Sequence, residues 1–144
     1  MNIFLSVSFS SEVDEKGVVN AAYRSDLETL IQILEEEGHE VFCAPRLEGW
    51  KVTEHNPAHA LKEDLKEIDK ADLYVAILGE DISAGVQLET GYAVARDKRV
   101  VLACPNGIKL GWTNSALSSF DNISSVNFGF YDSLAHQILQ TVIR

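Results

Sequence analysis

At 144 residues the chain has the length of one domain and is large enough to close a continuous apolar core. Its hydrophobic share of 46% and charged share of 24% are those of an ordinary water-soluble globular domain. A net charge of −10 excludes a nucleic-acid polymer as partner, because neutralising phosphates needs a basic stripe, and Lys62, Lys66, Lys70 and Lys98 are scattered instead.

In so acidic a chain a phosphate ligand must be met by local N–H groups and hydroxyls, not by a long-range field. No apolar run reaches the ~18 residues of a membrane span, so no membrane partner is expected. The opening MNIFLSVSFSS lacks the basic and apolar regions of a signal peptide, which makes the cytoplasm the expected compartment. Cys43 and Cys104 each end an apolar run and are read as small buried hydrophobes, not as a disulfide. Neither CxxC nor HExxH spacing occurs, so no metal and no cofactor is expected.

Residues 1–7 alternate and then run apolar, which predicts a first buried strand, and residues 8–16 are polar and turn-like. Val19, Ala22, Leu27, Leu30, Ile31 and Leu34 then recur at helical spacing, and the acidic run at 35–37 followed by Gly38 marks the helix end. HEVFCA, residues 39–44, reads as a second strand. Residues 45–57 read as a long irregular loop carrying Arg46, Trp50, His55 and Asn56. Residues 58–70 form an amphipathic helix with Leu61, Leu65 and Ile68 on one face.

Asp72 opens the apolar strand LYVAIL, followed by the polar loop GEDISAG, the helix VQLETGYAVARD and the strand RVVLAC. A loop at 105–114, a short strand at 123–128 and a closing helix at 133–143 complete the chain. Strands alternating with helices predict one α/β domain over residues 1–144, a doubly wound (Rossmann-like or flavodoxin-like) parallel sheet of about five strands flanked by helices. Ligand chemistry in such a sheet gathers above the carboxyl ends of the strands, where the loops at 6–10, 45–56, 79–85 and 105–114 converge.

Glu89 is the first candidate: a carboxylate on a largely apolar helix is costly to place without a use, and Gly85 and Gly91 allow close approach of backbone or ligand. Asp72 is read as a second carboxyl group able to exchange a proton. Ser6, Ser8, Ser10 and Ser11 line the first loop, the usual seat of a phosphate or sugar, although the glycine patterns of dinucleotide and P-loop sites are missing. Trp50 could stack on a base or cap its loop. Tyr92, placed round the helix from Glu89, is read as core packing, and the lone histidines His55 and His59 as structural.

The run ADLYVAILGEDISAGVQLETGYAVARDKRVV resembles the signature of the nucleoside 2-deoxyribosyltransferase superfamily: Asp72, an apolar strand, Ser83, Gly85, Glu89, Gly91 and the Lys98–Val100 segment fall in its order. KEDLKEIDKAD resembles the helix that enters the Asp-bearing strand, and Ser115-Ala116-Leu117 resembles a segment of the 2′-deoxynucleoside 5′-phosphate N-hydrolase branch. The resemblance implies that Glu89 is the nucleophile attacking C1′ and Asp72 the carboxyl group that helps protonate the departing base. Ser83 matches the phosphate-contacting serine of the N-hydrolase branch, where the transferases carry Asp. Ser6, Ser8, Phe9, Gly85 and Arg46 are further substrate contacts, with Phe9 and Ser10 departing from the family's first-loop pattern. Ser115 or Asn122 would cross the interface of a homodimer or higher homo-oligomer.

The expected activity is cleavage of the base–sugar bond of a nucleoside 5′-monophosphate through a Glu nucleophile. Base exchange between deoxynucleosides is the alternative. MNIFLSVSFSSE and GHEVFCAP are also compatible with a Toll/interleukin-receptor-like NAD-cleaving domain, and a non-catalytic nucleotide sensor would keep the same fold.

Overall fold

The computed structural model describes residues 1–8, 10–52 and 56–143. The readings of Phe9 and His55 therefore lie outside the described residues. Five strands, β1 (Asn2–Val7), β2 (Glu40–Phe42), β3 (Leu73–Ile77), β4 (Arg99–Pro105) and β5 (Ile123–Phe128), form one parallel sheet in the order β2-β1-β3-β4-β5. Helices α1 (Ala21–Glu36) and α6 (Tyr131–Ile143) cover one face. Helices α3 (Pro57–Lys70) and α4 (Ala84–Ala95) cover the other.

The strands read as near-continuous apolar runs because helices on both sides leave no wet face. Strand alternation splits the core in two. Ile3, Leu5, Val75 and Val101 pack towards Leu27, Leu30, Leu134 and Ile138, whereas Phe4, Tyr74, Ala76 and Leu102 pack towards Ile68, Val86 and Ala93. Each buried aliphatic side chain of this size contributes about 1.5–3 kcal/mol.

Between β1 and β3 the chain reverses its direction of travel across the sheet, going first to β2 on one side and then to β3 on the other. That is the switch point, where the loops after adjacent strands part and leave a crevice at their carboxyl ends. Helix starts around it are set by local side chains. Asn20 caps α1 by accepting from the N–H groups of Ala22 and Tyr23, Asn56 caps α3 by accepting from Ala58, and Ser83 caps α4 by accepting from Val86.

The first part of the predicted irregular loop, residues 45–52, is more regular than its composition suggests. Its start is the short helix α2 (Ala44–Leu47), for which Pro45 at the first turn is suited. Trp50 is buried with a positive φ of 60°, its N–H donates to the Pro45 carbonyl at 2.8 Å, and its carbonyl accepts from Val19 N–H at 3.0 Å. An antiparallel bridge between Val18 and Lys51 completes the clamp. Trp50 thus anchors its loop to the segment after β1, with the Arg24 guanidinium 5.7 Å from its ring centroid. A second short helix, α5 (Trp112–Leu117), lies where the sequence predicts the end of a loop. Cys43 and Cys104 are free and buried, as read from the apolar runs they end.

Candidate active site

Glu89 stands in the second turn of α4 with Val86, Thr90 and Ala93 buried around it, so its side chain is directed back to the sheet. The Ser6 hydroxyl on β1 donates to Glu89 Oε2 at 2.5 Å. Ser6 is 2% exposed and pairs in register with Ala76, near the carboxyl end of β3. Burial pushes the Glu89 carboxyl up to about 7; the Ser6 hydrogen bond works against that shift, and the negative charge of Asp64 adds to it.

Beneath this pair the fully buried Tyr74 on β3 ties α4 to the sheet. Its hydroxyl lies 2.9 Å from Thr90 Oγ1, and the Thr90 hydroxyl donates to the Val86 carbonyl at 2.7 Å. The Tyr74 hydroxyl also donates to the Val86 carbonyl, at 3.3 Å. Burial also holds the Tyr74 phenol well above its ordinary range, so it stays a neutral donor.

Asp64, on α3, belongs to the same site. It lines a cavity of about 610 Å³ that opens between α2 and the first half of α3, together with Phe42, Leu47, Glu48, Asn56 and His59. Burial raises its carboxyl to about 6, with the charges of Glu48 and then Glu63 adding to the effect. Both carboxyl groups are thus held up chiefly by burial, and the Asp64 charge reaches Glu89.

On the opposite side, Ser8 and Ser83 join the loops that follow β1 and β3. The Ser8 hydroxyl donates to the Asp81 carbonyl at 3.3 Å, Ser83 N–H donates to Ser8 Oγ at 3.4 Å, and the Tyr23 hydroxyl donates to the Ser8 carbonyl at 3.0 Å. A second cavity of about 360 Å³ opens there, lined by Ser8, Glu12, Tyr23, Gly79, Glu80 and Asp81 among others. Gly85 lies exposed in the first turn of α4, and a Cβ there would meet only Ser83 Oγ, at 3.8 Å. Within one chain, nothing needs the room that this glycine leaves.

Ser6, Ser8, Ser83, Gly85 and Glu89 are thus gathered at the switch point, whereas four predicted residues are elsewhere. Asp72 precedes β3 and stands at the amino end of the sheet, where its Oδ2 accepts from Asn2 N–H at 2.7 Å. Ser6 pairs with Ala76, four residues further along β3, which is roughly 13 Å away at the rise of a strand, so Asp72 cannot reach a group bound to Glu89. Asn122 also lies at the amino edge, donating to the Lys98 carbonyl at 2.8 Å. Arg46 is committed to the Glu35 carboxylate at 2.8 Å and the Val41 carbonyl at 2.6 Å. Ser115 is exposed on α5 and joins neither cavity.

Asp64 is the residue the sequence reading missed. It sits on the α3 face that carries Leu61, Leu65 and Ile68, three residues after the first and four before the last. A carboxylate inside an apolar helical stripe was the available signal.

A pair of half-buried carboxyl groups at a switch-point crevice suits the chemistry of glycosyl-bond hydrolases and transferases, which need an attacking group and an acid. The family model for nucleoside 2-deoxyribosyltransferase matches residues 17–126, and the chain belongs to that family, whose substrates are nucleosides and nucleotides. Among solved structures, it is similar to the Clostridium botulinum CMP N-glycosidase BcmB, with a TM-score of 0.74, 21% identity, and 98% of this chain and 99% of that one covered. BlsM, known from its solution structure, aligns with a TM-score of 0.79 and 29% identity over 99% of this chain and 94% of its own. The 2-deoxyribosyltransferase of Bacillus psychrosaccharolyticus aligns at 0.66 and 22% identity, covering 94% and 90%. Among curated proteins none matches the chain by sequence. No helix among the described residues is long and apolar enough to cross a membrane.

The raised Glu89 carboxyl makes a stability prediction. The native state binds its proton more tightly than the unfolded chain does, so this residue's contribution to stability falls as pH rises from about 4.5 to about 7. Glu89→Gln, which removes the buried charge, should stabilise the protein at pH 8 by up to roughly 3 kcal/mol and change it little at pH 4. Denaturant melts at the two pH values check this; equal effects at both would show that Glu89 carries no buried charge. Asp72→Ala should lose about 1 kcal/mol of stability with its backbone contact while leaving kcat/KM unchanged, a combination that separates edge pairing from catalysis.

Proposed function

We propose that the protein is an N-glycosidase of nucleoside 5′-monophosphates, with Glu89 as nucleophile and Asp64 as the acid at the base. The observation that carries this reading is the Ser6-held, buried Glu89 carboxylate at the switch point with a second, protonatable carboxyl beside it. Ser6 occupies Oε2, which leaves Oε1 free to attack C1′. As the C1′–N bond breaks, its electron pair goes to the base, the Asp64 proton goes with it, and Oε1 bonds to C1′. Water, giving its proton back to Asp64, then displaces Glu89 and releases the sugar phosphate. A second base in place of water would give transfer.

The phosphate, in this reading, lies at the start of α4. Ser83, the N–H groups of the first turn and the helix dipole supply donors without a formal positive charge. No Lys or Arg is among the described residues lining either cavity beside the site, and Glu12, Glu80 and Asp81 crowd the smaller one. That observation favours a second reading, a nucleoside substrate with no phosphate, in which base exchange is the accompanying activity. Chromatography for free base after incubation with nucleoside 5′-monophosphates, nucleosides, deoxynucleosides and NAD separates the readings. CMP enters the panel first because it stands in the name of the Clostridium botulinum relative.

Turnover should fall on the order of a thousandfold or more in Glu89→Gln with substrate binding retained; persistence of activity would remove Glu89 from the mechanism. The productive form holds one proton on the carboxyl pair, with Glu89 ionised and Asp64 protonated; because Glu89 is pushed up to about 7 and Asp64 to about 6, it is the minor of the two singly protonated forms. The profile of kcat/KM should therefore be bell-shaped, rising and falling through steps that span about 6 to about 7. Asp64→Asn should abolish the alkaline limb and move the acid limb down, because a neutral residue 64 no longer opposes ionisation of Glu89.

The partner in this reading is a second copy of the chain. Ala84, Gly85, Leu88, Gly91 and Ala95 form an exposed, uncharged face along α4, with Leu88 50% exposed and Trp112 on α5 90% exposed. Two copies that each carry a charge of −10 meet at least electrostatic cost over such a face. Light scattering should give twice the chain mass and Leu88→Glu the single mass; a single mass for the unaltered protein refutes the dimer.

A further inference from the structure

A row of aromatic rings runs across the sheet face that α4 covers. Phe42 on β2 pairs in register with Phe4 on β1, and Phe4 with Tyr74 on β3. Their rings stack, with centroids 5.0 Å apart for Phe42 and Phe4 and 5.7 Å for Phe4 and Tyr74. Phe4 and Tyr74 are buried, so the stack fixes the direction in which the Tyr74 hydroxyl reaches. That hydroxyl meets α4 at the Val86 carbonyl, 3.3 Å away, and at Thr90 Oγ1, 2.9 Å away. Val86 lies three residues before Glu89 and Thr90 one residue after it.

Packing alone does not call for these hydroxyls. Phe at 74 and Val at 90 would keep the shape of the contact, and exchanging both partners of a buried hydrogen bond for apolar groups is close to neutral for stability. The other end of Glu89 is held as well, since the buried Ser6 hydroxyl donates to its carboxylate. Ser6 is two residues along β1 from Phe4, and β1 is the neighbour of β3. Adjacent strands thus hold one side chain, β3 at its root through the helix and β1 at its tip.

We propose that Tyr74 is a positioning residue of the reaction: by gripping α4 on either side of Glu89 it sets the approach of Oε1 to C1′ without touching substrate. The inference rests on Glu89 being the nucleophile. Apolar contacts are non-directional, so a helix seated on them alone shifts by a fraction of an ångström at little cost. Hydrogen bonds are directional and remove that freedom at the turn that presents the nucleophile. The Ser6 bond cannot do this by itself, because it fixes one oxygen and lets the rest of the side chain pivot about it. An attacking atom misplaced by about 1 Å loses roughly a hundredfold in rate.

The test compares Tyr74→Phe and Tyr74→Phe/Thr90→Val with Tyr92→Phe. The last removes a hydroxyl that also ties α4, to Asp69 on α3 at 3.0 Å, but on the exposed side. Base release is followed with CMP, UMP, deoxycytidine and NAD, and the Glu89 titration by NMR of carboxyl-labelled glutamate, assigned with Glu89→Gln. The double variant should unfold near the wild-type midpoint, keep KM within a few-fold and lose about a hundredfold in kcat. Its Glu89 carboxyl should titrate below the wild-type value of about 7, because a helix free to shift lets water reach the group. Tyr92→Phe should match the wild type in both respects. Full kcat or an unchanged Glu89 titration in the double variant overturns the proposal. An equal loss in Tyr92→Phe does so too, because any tie on α4 would then serve. If the wild type releases base from none of these compounds, the N-glycosidase reading fails, and the titration alone decides whether Tyr74 holds Glu89 in place.

Discussion

The contact between the Ser6 hydroxyl and the Glu89 carboxylate joins the middle of the sheet to the helix on its surface, and the site is built outward from it. A carboxylate placed there is cut off from water on the side of the core, so its negative form must be sustained by few donors. Ser6 is the one described donor to it. The Tyr74 and Thr90 hydroxyls, with the Val86 carbonyl as acceptor, fix the helix that presents Glu89, using neutral groups throughout. That economy leaves the carboxylate under-solvated, the condition that the proposed attack on a carbon gaining positive charge requires.

The same arrangement is a cost to the fold. Tertiary burial around Val86 and Ala93 draws α4 onto the sheet and carries Glu89 with it, so the packing that stabilises the domain also desolvates the acid. Asp64 arrives by the same route on α3, packed through Ile68. The Asp64 charge reaches Glu89 because α3 and α4 cover the same sheet face. Burial, joined at Glu89 by the Asp64 charge, pushes both carboxyls up towards neutrality.

Much of this was legible in the residues. The alternation of buried strands and dozen-residue helices fixes the layered architecture, and β5 was placed at its observed bounds from its pattern and flanking loops. Glu89 was legible because it interrupts an apolar helix between two glycines. Asp72 was misplaced for a reason the sequence itself contained: it precedes its strand, and in a parallel sheet the residue before a strand lies at the edge opposite the ligand. Its pairing with Asn2 is that of a strand start. Arg46 and Asn122 illustrate a different limit. Their partners, Glu35, Val41 and Lys98, lie 11, 5 and 24 residues away, and nothing in local pattern says that a side chain is already committed to them.

Asp64 was hidden by the opposite circumstance. Its helix is rich in charge, so one more carboxylate draws no notice unless each position is assigned to a face. Once assigned, Glu63 and Glu67 have lysines a turn away to neutralise them, whereas Asp64 is half-buried one turn before the buried Ile68. Position on the helix, not residue type, therefore separates a solvated acid from a reactive one. The same reasoning applies to the overall charge. A net −10 distributed as surface pairs has little chemical consequence, because exposed charges are screened and neutralised locally. Burial first, and then the Glu48 charge on Asp64 and the Asp64 charge on Glu89, raise the two carboxyls of the crevice.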